Sequence, residues 1–140
     1  MSQRLGDLCT SRDGSVIKCF AYFGDKAYAT SAEYYCQAEG GHLASIHSIE
    51  EQDFIIQTFN PPRGIWIGLV DDNHDKVFEW TDGSTFDFEN WDSHGQPDGY
   101  EYYGMIGKGD EYNIHTGADN WTWRDWEDYH TLSYICQLTL

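Results

Sequence analysis

The residues of this chain best suited to chemistry are oxygen donors. Gln96 offers a side-chain carbonyl, Asp98 and Glu101 offer carboxylates just after it, and Asp125 supplies another further on. Pro97 stiffens the backbone between the first two donors. Hard oxygens projecting from one loop suit Ca²⁺, which takes six to eight of them in a flexible shell. A polar turn uses the same residue types, so the rest of the chain has to decide between the two. Nothing points to catalysis, since there is no nucleophile elbow, P-loop or dinucleotide fingerprint. Paired acids of the kind a glycosidase sets across a cleft arise by chance in so acidic a chain. His42, His47, His74, His94, His115 and His130 show no HExxH or paired-ligand spacing, which argues against zinc.

The bulk numbers narrow the setting. A chain of 140 residues forms one domain, 1–140, and buries roughly two thirds of its unfolded surface. No apolar run approaches the ~18 residues a membrane span needs. The start Met1-Ser2-Gln3-Arg4 has no apolar core of a secretory signal, so none is expected within this chain. Twenty-four acids against 8 basic residues give a net charge of −16. Nucleic acid and anionic membrane are therefore poor partners, because neutralising phosphates needs clustered Lys and Arg. Twelve of the acids lie between Asp82 and Asp128, against only Lys108 and Arg124. The four cysteines, Cys9, Cys19, Cys36 and Cys136, include no CxxC and fit two disulfides better than a zinc site. Three pairings are open. A Cys36–Cys136 bond would close a loop of about 100 residues, worth on the order of 4–5 kcal/mol in the chain-entropy model. Disulfides persist in oxidising compartments, which predicts an extracellular protein.

The elements that must position the donors read as α+β. Residues 16–28 form a first strand or hairpin. Thr30-Ser31-Ala32-Glu33 has capping-box spacing, and a helix containing Cys36 runs to Gly40-Gly41. Ser48-Ile49-Glu50-Glu51 repeats the signal, and a second helix ends before Pro61-Pro62. The run Ile65-Trp66-Ile67-Gly68-Leu69-Val70 has strand character, as does Val77-Phe78-Glu79-Trp80, closed by the turn Thr81-Asp82-Gly83-Ser84. From Phe86 to Asp119 the chain reads as one long loop, which a compact domain keeps only with a use for it. Trp121, Trp123 and Tyr134-Ile135-Cys136-Gln137-Leu138 look like closing strands. Helices early and strands late indicate segregated α+β architecture.

Taken in order, these residues resemble the C-type lectin-like domain over nearly the whole chain. The resemblance rests on Trp66-Ile67-Gly68-Leu69, Gln96-Pro97-Asp98, Trp123-Arg124-Asp125 and Cys136, with Cys36 in the first of two early helices. It implies two helices with antiparallel strands and a long irregular ligand-binding loop. It also implies a Cys36–Cys136 disulfide and, as in the family's long form, an N-terminal Cys9–Cys19 pair. Tyr103 and Asp128 stand where the family's second loop disulfide would be, and residues 107–117 read as an insertion. Arg124 replaces an asparagine that in the family gives a carbonyl oxygen to calcium.

The resemblance implies a Ca²⁺ site of Gln96, Asp98, Glu101 and Asp125, shared with two neighbouring sugar hydroxyls. The order Gln-Pro-Asp is associated with galactose or N-acetylgalactosamine, and Tyr100 is placed to stack on the sugar's apolar face. Arg124 has three expected fates: repelling the ion, swinging to solvent, or pairing with Asp98 or Glu101 and replacing the metal. The last would bind sugar without calcium. The second reading is a protein-, mineral- or ice-binding domain with a vestigial sugar site. Asp71 and Asp75 match two acids of an auxiliary calcium site, and Asp71-x-Asn73-x-Asp75 resembles an EF-hand start, yet Lys76 fills its glycine position. A solvated loop is the expectation there. Asn120-Trp121-Thr122 is a glycosylation sequon. Single sugar sites are weak and gain avidity from repetition, so a homodimer or higher oligomer is expected.

Overall fold

The computed structural model describes residues 4–12, 16–73, 75–92, 97, 101–107, 121–126 and 130–139, with only the backbone described at 4–12, 16, 17 and 139. In chain order the elements are β1 (Arg4–Arg12), β2 (Val16–Ala27), α1 (Ala29–Ala38), β3 (His42–Leu43) and α2 (Ile49–Phe59). Then come β4 (Ile65–Val70), β5 (Glu79–Trp80), β6 (Tyr103–Gly107), β7 (Thr122–Trp126) and β8 (Leu132–Thr139). The strands make one mixed sheet in the order β1-β2-β8-β4-β6-β7, with β3 on β8 and β5 on β4. All its described pairings are antiparallel except β4 with β8.

The continuous apolar runs are explained by two cores, one on each face of the sheet. Successive strand residues point to opposite faces. Phe20, Tyr22, Ile65, Ile67, Ile106, Trp123 and Ile135 therefore join α2 residue Ile55 in one cluster. Ala21, Phe23, Trp66, Met105, Tyr134 and Cys136 join α1 residues Ala29, Ala32 and Cys36 in the other. Each fully buried aliphatic or aromatic side chain contributes about 1.5–3 kcal/mol. Cys36 and Cys136 are disulfide-bonded, stapling α1 to β8 as the family resemblance implied. Cys9 lies opposite Cys19 across the β1–β2 ladder, and Cys19 is disulfide-bonded.

Several expectations need correcting. The first strand is a hairpin that begins twelve residues earlier than expected, at Arg4. Helix α1 starts at Ala29 with Tyr28 as a cap that makes no side-chain bond, so Thr30 is not a capping residue. Glu33 instead accepts from His42 Nδ1 at 2.6 Å and from the Leu43 amide at 3.0 Å, tying the helix to β3. The second capping signal holds: Ser48 accepts from the Glu51 amide at 3.1 Å, and Glu51 takes the His47 amide at 2.8 Å. Asn60 closes α2 in the left-handed conformation, just before the prolines. The expected loop 86–119 contains strand β6, paired with both β4 and β7.

Under α2, polar groups form a connected network. Lys18 Nζ reaches Glu51 Oε2 at 3.2 Å and the Ser45 carbonyl at 2.9 Å. Asp82 accepts from the Ser45 hydroxyl and the Gln137 amide, both at 2.6 Å. Burial pushes the Asp82 pKa up, but hydrogen bonds from Ser45, Ser84 and Gln137 outweigh it and hold the carboxyl below its ordinary 3.8.

Candidate functional site

The site is built on the β6–β7 ladder. Its register pairs Tyr103 with Trp126, Gly104 with Asp125, Met105 with Arg124 and Ile106 with Trp123. Trp123 enters the α2-side core, which anchors the strand and fixes the two residues after it. Gly104 is required by packing: a Cβ there would lie 2.5 Å from the Leu69 Cβ. Its absence lets β6 close onto β4 and sets the height of Asp125 opposite. Tyr103 and Trp126 pack against the α1-side core. Where the family carries a second loop disulfide, this ladder end is therefore held by aromatic packing.

Arg124 does not swing to solvent. It is 6% exposed, and its Nη2 lies 3.1 Å from Oδ2 of Asp92, itself 2% exposed. That contact lacks the alignment of a hydrogen bond, so charge is what holds it. The guanidinium lies over Gly107, where a Cβ would come within 3.1 Å of both Cζ and Nε. Asp92 is fixed in turn, because its amide donates to the Trp123 carbonyl at 2.9 Å and the Trp123 amide donates to the Asn90 carbonyl at 2.8 Å. Trp91 bridges to Trp123 in parallel. Residues 90–92 thus lie against the outer edge of β7. Asp92 was not among the acids expected to meet Arg124.

The turn into β7 is strained. Trp121 has φ 58°, a left-handed conformation that costs an L residue about 1–2 kcal/mol. Such residues persist where neighbours over-determine them. The Trp121 carbonyl accepts from Gln52 Nε2 at 2.6 Å and from Asn90 Nδ2 at 3.3 Å. Gln52 Oε1 accepts from the Trp123 indole at 2.7 Å.

Of the sequence-expected site residues, the structure describes three. Asp125 is buried on β7, Glu101 is half-buried just ahead of β6, and Arg124 is buried against Asp92. Asp125 pairs with Gly104 near the start of β6, and Glu101 lies two residues ahead of that strand. Gln96, Asp98 and Tyr100 lie outside the described residues, as do Asn120, Asp128 and most of the 107–117 insertion. Among the described residues no group of three or more His, Cys, Asp or Glu is arranged to hold a metal. Glu101 and Asp125 have the hard-oxygen chemistry calcium takes. Arg124 offers no oxygen, and its charge is balanced by Asp92.

The loop after β4 is solvated at Asp72, Asn73, Asp75 and Lys76, as expected, but not at Asp71. Asp71 is 1% exposed, and its carboxylate accepts from the Asp75 amide at 3.2 Å and the Lys76 amide at 2.9 Å. The Asp71 amide donates to the Tyr102 carbonyl at 2.7 Å. The carboxylate closes its own loop, and the Asp71 amide ties that loop to the residue after Glu101. Lys76 has φ 65° where an EF-hand carries glycine.

Sequence reasoning passed over Asp92, Asn90 and Gln52. A lone arginine among twelve nearby acids signals that one of them must pair with it, but not which. Gln52 carries no sequence signal beyond a polar residue on the buried side of α2.

The Lectin C-type domain family model matches residues 25–138. The human versican core protein is 34% identical over 120 residues, 86% of this chain, and the chain spans only 3% of that protein's length. The C-type lectin domain of murine dendritic cell inhibitory receptor 2, solved with an N-glycan, is 28% identical. It superposes with a TM-score of 0.74 over 88% of this chain and 91% of its own. A calcium-independent type II antifreeze protein is 26% identical, with a TM-score of 0.74 over 96% of this chain and 98% of its own. Among the described residues no helix is long and apolar enough to cross a membrane.

Proposed function

The chain belongs to the C-type lectin domain family, and from that premise we propose that it binds galactose-class glycans with the help of calcium. The observation that supports this reading is the β6–β7 register, which pairs Asp125 with Gly104 near the start of β6, the strand that Glu101 precedes by two residues. Residues 90–92, held to β7, are separated from Gln96-Pro97-Asp98 by three residues of chain. The likeness to a lectin domain solved with an N-glycan supports a sugar as ligand. In this reading Gln96, Asp98, Glu101 and Asp125 would hold the ion, and the same oxygens would accept hydrogen bonds from two neighbouring sugar hydroxyls. Bound calcium supplies a direct hold on those hydroxyls. The Tyr100 ring would stack on the apolar face of galactose. The protein acts by binding, not catalysis, as one extracellular domain that gains avidity by assembling with itself.

Retention on galactose-agarose tests the proposal. Binding in calcium and release by EDTA are expected; no retention in excess calcium would sink it. A second reading, sugar binding without the ion, is favoured by one observation. Position 124 brings a buried cation paired to Asp92 where the family supplies a calcium-ligating oxygen. Elution by galactose but not by EDTA would select it.

A further inference from the structure

We infer that Gln52, on α2, is a positioning residue for the Asp125 end of the site. The inference rests on the proposed sugar-binding reading and adds a residue that acts through β7. Gln52 is 2% exposed and uses both ends of its amide on one short stretch of chain. Nε2 donates to the Trp121 carbonyl at 2.6 Å, and Oε1 accepts from the Trp123 indole at 2.7 Å. The two bonded residues bracket Thr122, where β7 begins. The first is held in the left-handed region, at φ 58°. A tryptophan leaves that conformation unless something holds it there.

The geometry that follows is set by this grip. Trp123 is wholly buried between Phe88, Trp91 and Trp80, with ring centroids at 5.5–5.7 Å. Its indole N–H needs a buried acceptor, and Gln52 supplies it. Arg124 and Asp125 are the next two residues, on a strand with no slack between anchor and site. A displacement of Trp121 or rotation of Trp123 is therefore transmitted to the Asp125 carboxylate. A glutamine is suited to the task because one side chain supplies a donor and an acceptor in a fixed plane. Leucine has neither. Glutamate keeps an acceptor for the indole but sets an oxygen against the Trp121 carbonyl.

The test compares Gln52→Leu, Gln52→Glu and Ile55→Ala, the last a buried α2 control with no hydrogen bond to β7. Affinity for methyl β-galactoside in calcium is measured by calorimetry well below each melting temperature. Amide exchange is measured at residues 121–125. Gln52→Leu is expected to weaken sugar at least tenfold and to speed exchange at Trp123 and Asp125 at least tenfold. Ile55→Ala, destabilised as much or more, should move neither. Gln52→Glu is expected to lose affinity while keeping the Trp123 indole protected, and it serves should the leucine variant fail to fold. Equal affinity loss in Gln52→Leu and Ile55→Ala would overturn the inference. If the wild-type protein binds no sugar, the functional reading fails by itself. The clamp then stands or falls on the exchange data, with unchanged protection at 121–125 refuting it.

Discussion

Replacing Arg124 by methionine removes the guanidinium that lies beside the buried Asp92 and keeps an unbranched apolar side chain. The Asp92 side chain is 1% exposed, and the charged atoms are 3.1 Å apart. At an effective dielectric of about 20 that attraction is worth about 5 kcal/mol before desolvation is subtracted. In the intact pair desolvation offsets most of it, whereas breaking a buried pair by removing one partner typically costs about 3–5 kcal/mol. At about 3 °C per kcal/mol for a chain of this size, Arg124→Met should lower Tm by about 10–15 °C. Asp92→Asn should cost a similar amount. The double variant Arg124→Met/Asp92→Asn should recover to within about 1.5 kcal/mol of wild type, since no charge is then stranded. Urea and thermal unfolding of the four proteins by circular dichroism closes the cycle. A single variant within about 1 kcal/mol of wild type, or a double variant less stable than both singles, would show that this pair does not hold residues 90–92 to β7.

The remaining predictions are smaller. Asp82 is held below its ordinary 3.8, so its contribution is complete above the unfolded value and is lost as pH falls through the lower folded one. Urea midpoints of wild type and Asp82→Asn should therefore converge below about pH 4, and parallel curves would contradict the assignment. Lys76→Gly should raise stability by up to about 1 kcal/mol in the same assay by relieving the positive φ. Gly104→Ala should cost about 1–3 kcal/mol, because its Cβ would meet Leu69 at 2.5 Å; an unchanged Tm would mean that β6 can shift freely. Arg124→Asn/Asp92→Asn, which avoids stranding either charge, should tighten calcium by about tenfold, or 1.4 kcal/mol, in calorimetry. An unchanged constant would remove position 124 from the ion's surroundings.

Much of the fold could be read from the chain because its signals are local. Ser48 with Glu51, the prolines after Phe59 and the apolar run Ile65–Val70 each announce an element through spacing or stiffness. The misreadings occur where a distant partner overrides such a signal. Thr30 and Glu33 have capping spacing, yet Glu33 is taken by His42 and Leu43. Tyr103–Gly107 has two glycines and little β character, and becomes a strand because β4 and β7 lie on either side. Asp71 reads as a solvated acid and is buried because its carboxylate closes its own loop.

By itself the sequence determined the family, the α+β architecture, the Cys36–Cys136 staple once the family was recognised, and the oxygen-rich character of the loop around Asp98. These follow from residue type and order. Only the tertiary structure decided that Arg124 turns inward to Asp92, that Gln52 grips both tryptophans ahead of Asp125, and that Asp71 serves its loop. Each of those depends on which of many equivalent acids or amides comes within about 3 Å of a given group, and that is set by strand register and two-sided packing rather than by spacing along the chain.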